Sequence, residues 1–378
     1  MLKILHTADW HVGRAFGQFD PEVSRKLARD RVSVIERIMG LAEQYGVDAV
    51  LCAGDLFDSP DPGEQWWGAV ADIFRSRKHW TKPVVLLPGN HDPLMAGSIY
   101  HDQHPFRRSL PEWVHVVDRD DFSLELTAGA IVYAAPCRST AGDRDLALSL
   151  PPRADDDARI RIGLVHGSTF DMAGYTTNFP VSKDAPMRQG LDYLAIGDTH
   201  GFREIEGSSS IPIVYPSAPE PTKFGESDAG YVALVSFRRH GLRPSVRRER
   251  VARWTWREIT VQSMVELRTL VSENLATSVV KVSLDMAVSL DEDEEVERLV
   301  CALRGTDAMS ARAGAVVCDR SRLRIVATAS DSLSGDLPRA VLDTAAQLQQ
   351  EIAAADGDQR HRAERALVIL KRLLREVL

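Results

Sequence analysis

Short polar motifs follow successive apolar runs through the first two hundred residues, and this alternation constrains the fold more than any other feature. The apolar runs are short and rich in Val, Ile and Leu, as expected of buried strands. Each polar motif contains Asp, His or Asn, the residue types that bind hard or borderline metal ions. The motifs are Asp9-x-His11, Gly54-Asp55-x-x-Asp58, Gly89-Asn90-His91-Asp92, His166-Gly167 and Gly197-Asp198-Thr199-His200.

Helix signals lie between the strand signals. Asp20 and Pro21 predict a helix start, because Asp caps helix N-termini and Pro fits the first helical position. Apolar residues at helical spacing continue over 23–42, and Gly46 favours the end of this helix. Further strand signals follow along the chain. We therefore predict two stacked mixed sheets with helices outside, an α/β/β/α sandwich that occupies residues 1–250.

The remaining sequence predicts two smaller units. Residues 255–330 alternate strand and helix signals, with a capping box at Ser263-x-x-Glu266, and predict a small α/β domain. Residues 331–335 are rich in Ser and predict a linker. Residues 336–378 predict a helical hairpin, and its second helix carries one apolar stripe surrounded by basic residues.

Composition argues against several classes of protein. No apolar run approaches the ~20 residues that a membrane helix needs, so we expect no membrane association. The N-terminus enters a strand directly, without the charged segment and apolar core of a signal peptide. The cysteines lack CxxC spacing and three of them lie in apolar runs, which predicts free thiols and a reducing cytoplasm. They are Cys52, Cys137, Cys301 and Cys318.

The ligand types in the five motifs predict a centre for two divalent metal ions. Two such ions about 3.5–4 Å apart can clamp a phosphate ester and activate water between them. One carboxylate must bridge the ions, and Asp55 fits that role because Gly54 lets the backbone turn sharply before it. Mixed oxygen and imidazole ligation suits Mn²⁺, Fe²⁺ or Zn²⁺ better than Ca²⁺. The other ligands form two sets, Asp9, His11 and His200 for one ion and Asn90, His166 and Asp198 for the other.

The third motif also supplies the expected catalytic residues. His91 is adjacent to Asn90, so its ring can point at the substrate. We predict that His91 is a general acid or phosphate stabiliser and that Asp92 orients it. Two roles stay open for Asp58. It either contacts a metal ion directly, or it supports a ligand or caps a helix without contacting metal. A purely structural role for all five motifs is the alternative, and their number and order argue against it.

These motifs resemble those of calcineurin-like metallophosphoesterases. The opening His6-Thr-Ala-Asp-Trp-His-Val-Gly13, with Gly54-Asp-Leu-Phe-Asp58, resembles the SbcD branch, the nuclease subunits of SbcCD DNA-repair complexes. Tyr215-Pro-Ser-Ala-Pro-Glu-Pro221 resembles the segment after the last ligand in bacterial DNA-repair exonucleases. The resemblance covers residues 1–235. Beyond 255 it is architectural only, since such nucleases carry a small capping domain there.

The resemblance implies a metal-dependent DNA exonuclease or endonuclease. It implies that the C-terminal helices, with the apolar stripe of 363–378, dock on the coiled-coil base of an SMC-like ATPase of the SbcC type. A helical hairpin packed on its own domain would explain the stripe equally well. Relatives usually form homodimers through helices of the catalytic domain. The chain has no Gly-x-x-x-x-Gly-Lys-Ser/Thr loop, so the ATPase would be a separate chain.

One stretch is basic although the chain carries a formal net charge of −8. Arginines are frequent over 238–257, which predicts either a solvated strand face or hairpin, or an edge that contacts DNA phosphates. The residues that we predict to contact DNA are Arg14, Arg247 and Arg248.

The last motif departs from the family pattern Gly-His-x-His, because Asp198 replaces a metal-binding imidazole. A carboxylate still binds metal and favours Mn²⁺ or Mg²⁺ over softer ions, so we expect Mn²⁺, with Mg²⁺ or Fe²⁺ as alternatives. Two rival functions stay open. One is a phosphodiesterase or phosphatase acting on small molecules, against which the extra domain and helical tail argue. The other is a non-enzymatic scaffold that binds DNA ends, against which the retained ligands argue.

Overall fold

A computed structural model describes residues 1–127, 129–169, 177–206, 210–305, 313–326 and 337–377. The chain divides into two compact units, Met1–Thr255 and Trp256–Leu378. Over the described ranges, none of the helices combines the length and the apolar character that crossing a lipid bilayer demands.

The first unit alternates strands and helices, as the sequence predicts. Its helices are α1 (Pro21–Tyr45), α2 (Glu64–Ser76), α3 (Pro105–Ser109) and α4 (Ala185–Arg188). Its strands are β1 (Leu2–Thr7), β2 (Ala49–Cys52), β3 (Val84–Leu86), β4 (Val114–Val116), β5 (Phe122–Thr127), β6 (Ala130–Ala134), β7 (Ile160–His166), β8 (Ser168–Thr169), β9 (Pro180–Val181), β10 (Tyr193–Gly197), β11 (Arg203–Glu206), β12 (Pro212–Tyr215), β13 (Tyr231–Phe237) and β14 (Ser245–Arg250).

Two mixed sheets form the centre of this unit. The first has the strand order β14-β13-β1-β2-β3-β4, and the second has the order β11-β12-β10-β7-β6-β5. Ile38 and Phe74 pack α1 and α2 against the outer face of the first sheet. Leu51 and Leu164 belong to the apolar layer between the two sheets. A further cluster covers the outer face of the second sheet and includes Ala185 of α4. These layers confirm the predicted α/β/β/α sandwich.

Helix α1 begins and ends where the sequence predicts. The side chain of Asp20 accepts hydrogen bonds from the backbone N–H groups of Glu22 and Val23, both at 3.0 Å. Gly46 follows the last turn with a φ of 56°, a left-handed conformation that glycine adopts without steric cost. Both ends of this long helix are therefore fixed by local sequence.

Strand register aligns the carboxyl ends of the parallel strands. Thr7 of β1 lies opposite Cys52 of β2, and Cys52 lies opposite Leu86 of β3. In the second sheet, Gly197 of β10 lies opposite His166 of β7. Because each polar motif lies at or just after one of these strand ends, the loops that carry the motifs meet at one edge of the sandwich.

The second unit contains a small sheet with helices and a pair of long C-terminal helices. The sheet order is β15-β16-β18, and β17 pairs with β19 in a separate ribbon; helices α7 and α8 pack on each other. The elements are β15 (Thr255–Val261), α5 (Met264–Ser272), β16 (Leu275–Leu284), β17 (Ala287–Val288), α6 (Leu290–Arg304), β18 (Ala313–Asp319), β19 (Arg324–Ile325), α7 (Arg339–Ala354) and α8 (Gly357–Val377).

The capping box predicted at the start of α5 forms only in part. Glu266 N donates to Ser263 Oγ at 3.3 Å, but the Glu266 carboxylate accepts from Gln262 N rather than from Ser263 N. A complete capping box lies at the start of α6, where Ser289 and Glu292 bond each other's backbone N–H groups. The Ser-x-x-Glu spacing is identical at both helices, so sequence alone does not distinguish them.

Two other sequence predictions bear on this description. The linker expected at 331–335 lies outside the described residues, so the division into 255–330 and 336–378 stays a prediction. Cys52, Cys137, Cys301 and Cys318, all among the described residues, are not joined in disulfide bonds, and of the four Cys52 and Cys137 are buried whereas Cys301 and Cys318 are partly accessible.

Candidate metal centre

The loops after β1 and β10 bring together one of the predicted ligand sets. The Nε2 atoms of His11 and His200 are 3.0 Å apart. A carboxylate oxygen of Asp9 joins them, and the three ligand atoms lie within 4.8 Å of one another. Asp9 and His11 are buried, whereas His200 is partly accessible. The three residues predicted for one ion are therefore neighbours.

The second predicted set is centred on the imidazole of His166 at the end of β7. Its Nε2 lies 2.8 Å from Asn90 Oδ1 and 4.0 Å from Asp198 Oδ1. Asn90 follows β3 in the first sheet and Asp198 follows β10 in the second sheet, so this cluster spans the edge of the sandwich.

The Asp55 carboxylate lies between the two clusters. Its Oδ2 atom is 3.7 Å from His11 Nε2 and 3.5 Å from His166 Nε2. Its Oδ1 atom accepts a hydrogen bond of 2.9 Å from His91 N. Asp55 is thus held in a fixed position with one oxygen directed at both groups of ligands.

Hydrogen bonds direct the Nε2 lone pairs of two histidines into the centre. His166 Nδ1 donates to Ala53 O at 2.8 Å, and His200 Nδ1 donates to Glu226 Oε1 at 2.6 Å. A neutral imidazole carries one N–H, so in the neutral, metal-binding form of these histidines this arrangement leaves each Nε2 unprotonated. His200 Nε2 then faces His11 Nε2 at 3.0 Å, a contact that needs a shared cation or proton. The donor set of imidazole, carboxylate and amide oxygens fits divalent ions such as Mn²⁺ or Fe²⁺.

The ligand loops adopt an unusual backbone conformation. The left-handed region, costly for residues other than glycine, holds Asp9 (φ 55°), His11 (φ 45°) and Asp55 (φ 53°), and Asp198 also has a positive φ of 108°. Each such residue costs about 1–3 kcal/mol and persists where surrounding structure enforces it. Backbone bonds of 3.0 Å from Asp9 N to Gly54 O and from His11 N to Asp55 O enforce it here.

Glycines beside the ligands serve two different needs. Gly54 has a φ of 94°, in agreement with the predicted sharp turn before Asp55. Gly89 and Gly197 have no such φ, and their role is close approach. A Cβ atom at Gly89 would lie 2.1 Å from Asp55 Oδ1, and one at Gly197 would lie 2.1 Å from Ala53 O. The ligand loops could not converge around larger residues.

Burial and mutual charge change the acidity of the cluster. Burial raises the pKa of Asp9 to about 7, although the charges of His166 and His200 act to lower it. Burial alone would lower the pKa of His166, but the carboxylates of Asp55, Asp9 and Asp198 outweigh it and raise the pKa to about 9. Protons therefore occupy a metal-free cluster near neutral pH, and a divalent ion would displace them on binding.

Asp92 does not have the role that the sequence predicted for it. Its Oδ2 accepts hydrogen bonds from Phe57 N at 2.8 Å and from Tyr100 Oη at 2.6 Å, while its Oδ1 accepts one of 2.9 Å from Gly89 N. The carboxylate therefore ties the loop after β2 to the loop after β3 and does not orient His91. The imidazole of His91 is instead held at Nδ1, which lies 3.2 Å from the carbonyl oxygen of Asp58.

Asp58 contacts the outer side of the cluster. Its Oδ1 lies 3.1 Å from His11 Nδ1 and 3.0 Å from Arg14 Nη1. Because His11 directs its other nitrogen toward His200, this position favours the supporting role over metal contact. Ligand atoms of His11, Asp58 and His91 also lie within 4.8 Å of one another, so this geometry is compatible with contact between Asp58 and an ion.

Two supporting residues carry no signal in the sequence. Glu226 accepts from His200 Nδ1, and although burial would raise its pKa, hydrogen bonds from His200 and Thr222 lower it to about 2. Arg31 lies buried in α1 and donates to Trp10 O at 3.0 Å and to Glu220 O at 2.7 Å. A charged residue in an amphipathic helix usually faces solvent, so the burial of Arg31 and its hydrogen bonds to these carbonyl oxygens were not predictable.

The three residues predicted to contact DNA lie in different surroundings. Arg14 pairs with Asp58, which in turn contacts His11 of the metal centre. Arg247 and Arg248 lie on the edge strand β14 and do not join the cluster. Arg247 pairs with Glu249, and Arg248 pairs with Asp228 at 3.2 Å. Both side chains remain more than half exposed, so the solvated-face interpretation of this stretch agrees with their environment.

Comparison with curated proteins gives relatives of modest identity. The chain is 24% identical over 240 residues to the metallophosphoesterase YhaO of Bacillus subtilis, covering 61% of this chain and 56% of YhaO. It is 26% identical over 243 residues to the SbcD component of the nuclease SbcCD from the same species, covering 62% and 56%. It is 24% identical over 242 residues to the DNA double-strand break repair protein Mre11 of Methanopyrus kandleri, covering 60% and 50%. The chain thus spans about half the length of these relatives.

The family is established by a match to a family model. The family model described as calcineurin-like phosphoesterase matches residues 2–202, more than half of the chain. This segment runs from β1 to the last ligand motif and includes every loop that meets at the metal centre. The chain belongs to the calcineurin-like phosphoesterases.

Proposed function

We propose that the chain is a phosphodiesterase that uses two divalent metal ions. The observation that carries this proposal is the Asp55 carboxylate, whose Oδ2 lies 3.7 Å from His11 Nε2 and 3.5 Å from His166 Nε2. A carboxylate between two ligand sets can bridge two ions that clamp one phosphate. The proposed ligands besides Asp55 are Asp9, His11 and His200 for one ion and Asn90, His166 and Asp198 for the other.

The preferred ion in this proposal is Mn²⁺, with Mg²⁺ or Fe²⁺ as alternatives. Support comes from Asp198, which places a carboxylate 4.0 Å from His166 Nε2 where the family pattern has a second imidazole. An additional oxygen ligand increases the negative charge of the site and favours harder ions.

Two bound ions would stabilise the phosphate oxygens and lower the pKa of water. The protein residues position the substrate and transfer protons. His91 contributes twice, because its backbone N–H holds the Asp55 carboxylate and its ring is anchored at Nδ1 to Asp58 O. This anchor leaves Nε2 to exchange a proton with the leaving oxygen, the part we assign to His91. Asp92 supports the same loop through Phe57 N and Gly89 N.

We further propose that the substrate is DNA and that cleavage is exonucleolytic or endonucleolytic. Relatives of the chain include proteins named as the SbcD component of the nuclease SbcCD and as Mre11. Arg14 supports this substrate, since its guanidinium contacts the cluster through Asp58 and can neutralise a neighbouring phosphate. Arg247 and Arg248 are weaker candidates for DNA contact because each already has an acidic partner.

The proposed partner is an SMC-like coiled-coil ATPase of the SbcC type, bound by the C-terminal helices. On α8, Ile369 and Leu373 are 56% and 55% exposed and lie one turn apart. The inward side of the same helix packs on α7 through Leu367 and Val368. The helix thus has an apolar face beyond the one used within the hairpin, which suits docking on another helix. Homodimerisation through helices of the first unit is also part of the proposal.

A phosphodiesterase for small substrates is the second candidate function. The observation that favours it is the pairing of Arg247 with Glu249 and of Arg248 with Asp228, which leaves these two guanidinium groups less available to DNA phosphates. A small diester needs only the metal centre.

The test is hydrolysis by the purified full-length chain. We expect Mn²⁺-dependent cleavage of labelled single- or double-stranded DNA as well as of bis(4-nitrophenyl) phosphate. Cleavage of the nitrophenyl diester without cleavage of DNA would support the small-substrate function. Hydrolysis of neither substrate, with Mn²⁺ shown to be bound, would refute the enzymatic proposal and favour a scaffold.

A further inference from the structure

A cavity of about 500 Å³ opens beside the metal centre, between α1, α2 and the loop after the first ligand motif. Three guanidinium groups and one indole line it, and none of them belongs to the proposed ligand set. They are Arg14, Arg25, Arg29 and Trp66.

The indole is a fixed platform at the wall of this cavity. Trp66 is partly buried in the first turn of α2. The backbone of Gly13 lies against one side of the ring, so close that a Cβ atom there would be 3.1 Å from Trp66 Cδ1. Gly13 has a φ of 92°, which favours glycine at this position for a second reason. The loop that carries His11 and Arg14 is thereby packed directly on the indole.

The three arginines give the cavity a positive charge in a chain whose formal net charge is −8. Arg25 and Arg29 are four residues apart in α1, about 6 Å along the helix axis, and share one face. Both are exposed, and within the described parts of the chain neither forms an ion pair. Guanidinium groups of this kind bind phosphate oxygens. The cavity therefore combines anion recognition with a surface on which a planar ring can stack.

Arg14 links the cavity to the metal centre. Its guanidinium lines the cavity and also contacts Asp58 Oδ1 at 3.0 Å, and Asp58 in turn lies 3.1 Å from His11 Nδ1. Arg14 therefore belongs both to the wall of the cavity and to the line of contacts that ends at His11, a proposed metal ligand.

We propose that this cavity binds one nucleotide of a single-stranded DNA segment next to the phosphodiester being cleaved. The base stacks on Trp66, while Arg25 and Arg29 contact the phosphate that follows it. The inference rests on the proposed nuclease function and specifies its substrate as a strand with an unpaired nucleotide at this position. Stacking on an aromatic side chain is independent of base identity, so the cavity recognises a strand rather than a sequence.

The test is binding of a fluorescent single-stranded oligothymidylate to the full-length chain, followed by anisotropy in EDTA so that no cleavage occurs. Loss of one stacked base weakens binding about 5-fold to 150-fold, and we expect this range for Trp66→Ala and less than about threefold for Trp66→Phe. Arg29→Ala should weaken binding and reduce the salt dependence by about one phosphate contact. Arg75→Ala, an exposed residue of α2 outside the cavity, is the matched control and should bind normally.

Several outcomes would overturn the proposal. Unchanged affinity in Trp66→Ala would exclude stacking, and if this variant does not fold, unchanged affinity in the surface variant Arg29→Ala decides against the cavity. Thymidine monophosphate should compete with the oligonucleotide better than thymidine or inorganic phosphate alone. Equal competition by phosphate would show an anion site only, and conversion of a dimer to a monomer without loss of DNA binding would show an interface between two copies.

The same protein samples separate this proposal from the nuclease function. If the chain hydrolyses neither DNA nor bis(4-nitrophenyl) phosphate in Mn²⁺, the nuclease function is refuted. The cavity proposal is still supported in that case if the affinity for DNA in EDTA depends on Trp66. Normal DNA cleavage with a Trp66-independent affinity would refute the cavity alone.

Discussion

The metal centre and strand β14 both gather charged side chains, but they do so in opposite ways. In the metal centre, Asp9 and Asp55 are buried among imidazoles and adopt left-handed backbone. On β14, Arg248 follows a regular antiparallel ladder, is exposed and pairs with Asp228. Side chains that converge against local conformational preference mark a functional site, whereas locally paired charges mark a solvated face.

The largest expected effect is that of Asp55→Asn. The substitution removes the negative charge between His11 and His166 while preserving the shape of the side chain. Without that charge the site cannot neutralise the positive charge of a second ion, so hydrolysis of bis(4-nitrophenyl) phosphate should be abolished. Asp228→Asn, which removes the acid that pairs with Arg248, is the control and should retain full activity. Near-normal hydrolysis by Asp55→Asn in Mn²⁺ would contradict the bridging assignment.

The next largest effect is expected for His91→Ala. Loss of a positioned acid typically slows a reaction by about 10²–10⁴-fold, so we expect DNA cleavage to fall by this factor, while the variant should still bind two ions because the proposed ligands are intact. Metal content is measured by mass spectrometry of the protein and hydrolysis in parallel. A variant that has lost one ion would show that His91 is a ligand, in line with its position near His11 and Asp58.

Glu226→Gln should weaken metal binding by about 10-fold to 100-fold. Residues that hydrogen-bond the outer nitrogen of a ligand histidine typically contribute this much, and Glu226 holds His200 Nδ1 at 2.6 Å. Calorimetric titration of the metal-free protein with Mn²⁺ measures the change. An unchanged dissociation constant would mean that His200 needs no carboxylate to face the cluster.

The smallest effect is expected for Arg248→Ala. Because Asp228 already pairs with this guanidinium, its removal should change DNA affinity by less than about threefold. Anisotropy titrations at two salt concentrations provide the measurement. A tenfold loss together with a weaker salt dependence would show that β14 contacts phosphates directly and is not merely a solvated face.

Local signals made the fold predictable, together with the proximity of the proposed ligands to one another. Asp20 and Gly46 cap α1 through bonds to residues at most four positions away. The ligands follow strands whose apolar character is visible in the sequence, and parallel strands bring their carboxyl ends to the same edge. The predicted positions of His11, Asp55 and His166 relative to one another therefore needed only the fold and the order of the motifs.

The remaining contacts depend on residues distant in sequence. Asp92 bonds Phe57 N, 35 positions away, so its adjacency to His91 was misleading. Glu226 reaches His200 across 26 positions, and no motif connects them. Gly89 has no side chain where a Cβ atom would lie 2.1 Å from Asp55 Oδ1, a close approach between residues 34 positions apart. Tertiary packing determines each of these contacts, so the spacing of residues along the chain does not predict them.

The most direct test of the central claim is anomalous scattering from crystals soaked in Mn²⁺. We predict two anomalous peaks about 3.5–4 Å apart, one on each side of the Asp55 carboxylate, near His11 and His166 respectively. A single peak, or none in a pocket that solvent can reach, would contradict the two-metal account.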